Sequence, residues 1–388
     1  MGSEYREVTT TSWGKRMSSA FFGVIIGLLL FLGSFYLIWW NEGRSVERIK
    51  TLQEGRDSVV SVSPDVVDPS NQAALIHVTG RADTNDILKD TLFGVEENAL
   101  KLKRIVEMYQ WHEDTRTERH TNLGGSETKE TVYTYRKAWS QELINSSGFK
   151  RSQEHKNPSS MPYKTEIFST SNVSLGAFEL TKPFTQKISQ YEDYNLTEQN
   201  VNAMDPRLQQ SFELSGNQYF YGDPSNPQIG AMRVSYSIIR PMEVTVVGQQ
   251  NNDDIETYFT ENGSIELLEE GRLSAENMFS VAESDNARWT WILRFGGFFM
   301  MWLGLAIMLH PLKVLGDVVP IIGTLAGMGI SILTGLVALI LSLITMAIAW
   351  IFFRPIIGAI LLIMAFAAFF SGYRFFKDKE KPEIKHAL

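Results

Sequence analysis

The chain has 388 residues, 44% of them hydrophobic and 21% charged, with a formal net charge of −8 and no cysteine. The missing cysteine excludes a disulfide-stapled fold, an iron–sulfur cluster, a thiolate zinc site and a cysteine nucleophile. The acidic balance offers no basic stripe to neutralise phosphates, which argues against nucleic acid as a partner.

A mean hydropathy of −0.10 averages two kinds of sequence. Apolar residues crowd roughly the first 40 and the last 100 positions, and the polar middle of about 250 residues is long enough to bury its own core. Residues 1–16 read as a cytoplasmic N-terminus. Met17 to Trp40 is uncharged, and at about 1.5 Å of rise per residue a helix crosses a ~30 Å hydrocarbon layer in about 20 residues. Too long for a signal-peptide core, it lacks a small-x-small cleavage site and ends in Tyr36, Trp39 and Trp40, an interfacial aromatic belt. An uncleaved first transmembrane helix over 17–40 is expected.

Residues 41–288 carry the signal of short strands. Ala73 to Thr79 is apolar, β-branched and closed by Gly80. Leu100 to Glu113 alternates, with Leu100, Leu102, Val106 and Met108 on one face and Ile105, Tyr109 and Trp111 on the other. Thr128 to Trp139 alternates again, and Asn122 with Gly124-Gly125 between them predicts a long β-hairpin. Ile229 to Ile239 and Met242 to Val247 read as a second pair with Pro241 at the turn or on an edge. Helices are expected over Ala203–Glu213, weakly patterned, and over Ser274–Ala287 with Ser274 as N-cap. The whole stretch is read as one β-rich lumenal or periplasmic domain.

A second transmembrane helix is expected over 289–310, with Arg294 snorkelling from its outer end and His310-Pro311 stopping it. Residues 311–327, with Gly316, Pro320 and Gly323, read as interfacial or re-entrant. A third crossing follows over 328–353, Arg354-Pro355 breaks the helix, and a fourth crossing is expected over 356–373 before a cytoplasmic tail, 374–388. Four crossings put both termini on one face and the large domain on the other. Arg6, Lys15, Arg16, Arg374, Lys377, Lys379, Lys381 and Lys385 make the terminal side cytoplasmic, against Arg44, Arg48, Lys50 and Arg288 on the other face. The fold class is thus an integral membrane protein: four transmembrane α-helices, one N-terminal and three C-terminal, plus a large β-rich (α+β) extramembrane domain.

Little points to chemistry. His77, His112, His120, His155, His310 and His386 show no ligand spacing. His112 and His120 would approach one another across the hairpin, but a solvated tip is the default for that charge-rich segment. Neighbouring carboxylates such as Glu96-Glu97 point to opposite faces of a strand. No nucleophile elbow or phosphate-cradling loop is present, and no metal or cofactor is expected. Asn145, Asn172, Asn195 and Asn262 head glycosylation sequons, meaningful only in a eukaryotic lumen. Gly23 and Gly27 in the first crossing, and Gly323, Gly327, Gly329 and Gly335 leading into the third, suit close helix packing. Ordinary packing within one chain is the simpler reading of them.

Five strings, in chain order, resemble the LUMA family of four-pass membrane proteins. They are Asn41-Glu42-Gly43-Arg44, Val106-Glu107-Met108-Tyr109-Gln110-Trp111, His155-Lys156-Asn157-Pro158-Ser159, Arg233-Val234-Ser235-Tyr236-Ser237 and Arg354-Pro355. The resemblance covers nearly the whole chain, and the Val106–Trp111 string is its most specific part. It implies a protein of the endoplasmic reticulum and inner nuclear membrane in animals, self-associating, and binding emerin and lamins as an organiser of membrane complexes. The family has bacterial members too. The short N-terminal segment and the absence of cysteine point to one of these, in an inner membrane with a periplasmic domain and without the nuclear partners. No catalytic motif comes with the family. The matching residues read as fold-keeping: Asn41 and Glu42 capping backbone groups at the membrane exit, Gly43 supplying a turn, Arg44 meeting lipid headgroups, and Pro158 fixing a loop entry.

The leading expectation is a non-enzymatic, oligomeric membrane scaffold that associates with itself, with lipid and with other membrane proteins. A channel or transporter component is the alternative, although the crossings offer few polar groups to line a path. A lipid-modifying hydrolase with a site in the 95–160 region comes third.

Overall fold

The computed structural model describes residues 4–356, 358–360 and 363. The chain divides into two compact units. One comprises 1–9, 51–120 and 128–282, and the other 10–50, 121–127 and 283–388.

The first unit is built on two sheets. Its longer strands are β1 (Glu4–Thr11), β2 (Leu75–Asp83), β3 (Lys101–Thr121), β4 (Glu127–Ser140), β5 (Phe212–Ser215), β6 (Gln218–Tyr221), β7 (Met232–Ile239), β8 (Met242–Asn251), β9 (Asp254–Glu256) and β10 (Leu267–Glu270). The first sheet runs β1-β4-β3-β7-β6-β5, with the short strands Glu166–Ser169 on β3 and Glu192–Asp193 on β7. The second places β8 against β10, β9 and β2, and continues through the short strands 174–175 and 178–180.

Alternation decides which face of β3 is buried. Leu102, Val106 and Met108 are covered while Ile105, Tyr109 and Trp111 are only half-covered, as the period of two demands. The register with β7 sets Val106 opposite Val234 and Leu102 opposite Ile238. With Phe93, Tyr219 and Tyr236 these fill one core, each fully buried aliphatic contributing about 1.5–3 kcal/mol. A second core lies on β2 and β8, where Val78 faces Val246. Gly248 is required there, since a Cβ would sit 2.6 Å from the Phe184 ring and 2.7 Å from Ile255.

The long hairpin forms as read. Asn122 N–H donates to the Ser126 carbonyl at 2.8 Å, Gly125 N–H to the Asn122 carbonyl at 3.0 Å, and Gly124 and Gly125 take φ of +84° and +80°, values that glycine adopts freely. The second expected pair does not form. β7 belongs to the first sheet and β8 to the second, so the chain changes sheets at Arg240-Pro241. β7 is already paired with β3, β6 and the short strand 192–193, and β8 with β2, β9 and β10, and Pro241 has no N–H to offer a ladder. The weak helix over 203–213 is two short pieces, Glu198–Ala203 and Pro206–Gln209. Asp205 starts the second by accepting the Arg207 N–H at 2.9 Å.

Residues 4–11, for which the sequence predicts no strand, form β1, hydrogen-bonded to β4 in the first sheet. Lys150 pairs with Glu7 at 2.8 Å and the Tyr133 hydroxyl donates to Glu7 at 3.1 Å. The charged and threonine-rich sequence of β1 gave no apolar alternation to reveal it.

The helical unit contains most of α1 (Trp13–Ser58) and α2 (Ala275–Met308), with α3 (His310–Gly316) and α4 (Pro320–Phe353). All but α3 are long and apolar enough to cross a membrane. The helix expected from Ser274 and the second crossing are one element, α2; Asn277 N–H does donate to the Ser274 hydroxyl at 3.3 Å. The separate segment 311–327 is likewise divided between α3 and the first turns of α4, because a proline in a first helical turn costs no hydrogen bond. α1 and α2 run antiparallel. A Cβ on Gly27 would lie 2.7 Å from the Gly304 carbonyl, and one on Gly304 would lie 2.7 Å from the Phe31 nitrogen. Most of the fourth crossing expected over 356–373, and the tail 374–388, lie outside the described residues.

Candidate functional site

The residues singled out by family resemblance fall into three clusters. The first is in the helical unit. Glu42 on α1 is fully buried and accepts from Arg294 on α2 through two parallel bonds, Nε to Oε1 at 2.6 Å and Nη2 to Oε2 at 2.8 Å. Trp350 on α4 donates its indole N–H to the same Oε2 at 2.7 Å. The Arg294 guanidinium also lies over the Trp291 ring at 4.8 Å and the Trp350 ring at 5.6 Å. Arg294 therefore does not snorkel. A bidentate carboxylate and two ring faces offer it more than a lipid headgroup level would.

Two residues further along α1, Arg44 donates to the side-chain oxygens of Asn286 at 3.1 Å and of Asn41 and Thr290 at 3.2 Å. Asn41 donates to the Thr290 carbonyl at 3.0 Å and Asn286 to the Ser45 carbonyl at 3.0 Å. Asn41 and Arg44 thus tie α1 to α2 where backbone capping and headgroup contact were expected. Gly43 supplies no turn, since α1 is continuous there. Its missing side chain admits the Phe353 ring, which a Cβ would meet at 2.9 Å. Arg354 closes α4 by donating its N–H to the Trp350 carbonyl at 2.8 Å, and Pro355 follows.

Two further clusters lie in the sheet unit. Glu107 and Arg233 are register partners on β3 and β7, paired at 2.6 Å, and the Arg233 guanidinium lies 4.7 Å over the Trp139 ring. Tyr109 packs on the same Trp139 at 5.2 Å, and Ser235 faces Ile105. In the third cluster His155 is buried, stacked on Tyr135 at 3.8 Å, with Trp111 edge-on at 4.6 Å. Asn157 accepts the Trp111 N–H at 2.7 Å and donates to the Trp111 and Ile144 carbonyls at 2.9 and 3.2 Å. Tyr135 donates to Glu113 at 2.7 Å. Burial and then that carboxylate push its hydroxyl up to about 12. Asn157 completes three backbone bonds for a loop that has no strand partner, and Pro158 follows it.

The tip of the hairpin, residues 121–127, belongs to the helical unit. Arg16 at the start of α1 is paired with Asp317 at 2.5 Å and donates to the Gly125 carbonyl. Trp13 donates its indole N–H to the Val314 carbonyl at 2.9 Å, and Gly124 N–H to the Val318 carbonyl at 3.1 Å. Gly23 faces Ile307 of α2, whereas Gly323 and Gly327 lie against Asp317 and Lys313 at the α3–α4 turn. Gly335 faces the Trp302 ring, and a Cβ on Gly329 would meet nothing within 4 Å. The four sequon asparagines are exposed. Among the described residues no group of three or more His, Asp or Glu is placed to hold a metal ion.

Sequence reading missed Asn286, Thr290 and Trp350. A signal existed for two of them: Asn286, Thr290 and Arg294 recur every four residues, a polar stripe along one face of an otherwise apolar helix.

A family model described as Transmembrane protein 43 matches residues 108–355. Transmembrane protein 43 of Homo sapiens is 34% identical over 371 residues, covering 91% of this chain and 90% of the relative. The chain belongs to the Transmembrane protein 43 family. The Mus musculus protein is 34% identical over 362 residues, 89% of this chain and 88% of its own. The Transmembrane protein 43 homolog of Drosophila melanogaster is 26% identical over 347 residues, 87% and 91%. No solved structure matches. This is the LUMA family that the five strings resemble, and these relatives are animal proteins. The Transmembrane protein 43 model takes in Trp111, His155, Asn157, Arg233, Arg354 and Pro355, and begins beyond Asn41–Arg44 and Glu107.

Proposed function

We propose that the protein is a non-enzymatic membrane scaffold that self-associates and organises other membrane proteins and lipid around a helical base. The observation that carries this reading is the Glu42 site. Its carboxylate, at the end of the apolar run of α1, accepts three hydrogen bonds from α2 and α4. A carboxylate meant to move a proton or an ion keeps an open coordination position and access to water; this one is sealed and bound on both oxygens. It serves to fix three helices to one another. The clusters at Trp139 and His155 are of the same kind, with aromatic faces and amide bonds spent on holding strands and a loop. In this proposal the segment 356–373 is a fourth membrane helix.

The test is the mass and shape of the purified protein in detergent or nanodiscs, by light scattering and single-particle imaging. A discrete oligomer is expected. A clean monomer across the working concentration range would sink self-association and redirect the search to a substrate or a separate partner.

A further inference from the structure

A cavity of about 370 Å³ opens in the sheet unit between the start of β3, residues 169–173 and residues 180–188. Leu100, Val173, Leu180 and Ile188, all buried, form its apolar lining. Lys101, Ser169 and Lys182 border the same space, and among the described residues no carboxylate lines it. In a chain of net charge −8, two ammonium groups around one apolar hollow are left without a counter-charge. We infer that this cavity binds an aliphatic carboxylic acid of about eight to ten carbons, its tail on the four aliphatic side chains and its carboxylate between Lys101 and Lys182.

Lys101 carries the argument. It is half-buried, and burial pulls its ammonium below the ordinary lysine value. Its Nζ donates to the Ile188 carbonyl at 2.5 Å and to the Gln186 carbonyl at 3.2 Å. An ammonium has three donors, so one remains, and among the described residues neither Lys101 nor Lys182 has an acid partner. A cation withdrawn from water without an anion is costly, and a bound carboxylate supplies the anion. Asp86, bonded to the lining residues Thr170 and Ser171, is already taken. It accepts from the Thr170 hydroxyl at 2.5 Å and from the Ser171 N–H and hydroxyl at 3.2 and 3.1 Å. Ser169 is the register partner of Lys101, so the two side chains leave the same face of the sheet. Its hydroxyl adds a donor beside the ammonium.

Size and chemistry choose the ligand. At about 30 Å³ per non-hydrogen atom, the share of a water in the liquid, the cavity holds about twelve, an acid of about ten carbons with its oxygens. It sits at the low end of the roughly 300–1,000 Å³ of small-molecule pockets, which pair apolar walls with a few polar groups. A bare inorganic anion would leave the aliphatic side chains wet, and an alcohol would leave both ammonium groups unpaired.

The test uses the full-length protein in nanodiscs, titrated with octanoate by calorimetry with empty nanodiscs subtracted. Octanol, acetate and N-acetyl-leucine are run beside it. Saturable binding of octanoate is expected, about tenfold tighter than octanol or acetate and about tenfold weaker in K101Q and in K182Q. Lys182 is exposed, so K182Q decides the test if K101Q unfolds. No saturable binding of octanoate, or binding unchanged in K182Q, would overturn the inference. Octanol binding as tightly as octanoate would overturn recognition of the charge, and acetate doing so would reduce the site to one for any small anion. N-acetyl-leucine binding tighter than octanoate would overturn the aliphatic acid in favour of a peptide C-terminus.

Discussion

Arg104 in the sheet unit and Arg294 in the helical unit are both buried against a carboxylate and each lies over two aromatic rings, Phe93 at 5.4 Å and Phe168 at 5.7 Å for Arg104, but Arg104 also has a second acid. Arg104 on β3 pairs with Asp90 at 2.5 Å, reaches Glu166 at 2.7 Å and donates to the Lys164 carbonyl at 3.1 Å. Tyr236 donates its hydroxyl to the same Asp90 at 2.6 Å. Glu166 is half exposed, so this cluster has one end in water. Arg294 has one carboxylate, fully buried, and two tryptophan faces. A guanidinium beside the solvent can share two acids. One among apolar helices needs a single acid in fork geometry, because each added buried charge costs several kcal/mol of desolvation.

The largest effect expected from breaking this comparison is at Glu42. E42A leaves a buried guanidinium unpaired and should cost about 3–5 kcal/mol, measured by denaturant or thermal unfolding in detergent. Replacing both partners, E42L with R294M, should recover most of that loss, since an apolar pair of similar volume needs no counter-charge. A double variant as unstable as the single would show that the helices depend on the charges themselves. In the sheet unit D90A should cost about 2–3 kcal/mol, less than E42A, because Glu166 remains to pair with Arg104. Equal losses would mean that the water-facing acid contributes nothing.

Smaller effects test the loop cluster. N157A leaves the Trp111 N–H and two carbonyls without their partner and should cost about 1–3 kcal/mol. Tyr135 gives a pH signature. Its hydroxyl ionises at about 12 in the folded protein against an ordinary 10.0, so between these values the native state holds the extra proton. The stabilisation is complete below pH 10 and declines as pH rises through about 12, and Y135F should flatten that alkaline limb of unfolding. Finally, Val8 on β1 and Thr134 on β4 are both exposed, so V8C and T134C should be modified from the same face of sealed vesicles with no loss of stability. Opposite labelling would remove β1 from the sheet.

How much was legible follows the range of the interaction. The long hairpin was readable because alternation along Leu102–Met108 and the Asn122–Gly125 turn are local signals. Val8 and its charged neighbours carry no such period, so β1 was invisible until β4 was there to pair with it. The Glu42–Arg294 pair joins positions 252 residues apart. Each residue alone, at the end of an apolar run, reads as an interfacial charge.

From the sequence alone came the apolar helices, the alternating strands, the turn glycines and the family. These are set by hydrophobic periodicity and backbone preference acting over a few residues. Tertiary structure decided the rest: which sheet β7 and β8 joined, that α2 and α4 each run unbroken, and that Glu42 holds Arg294 and Trp350. Those outcomes depend on which groups are left without partners once the cores close, a condition that no window of neighbouring residues contains.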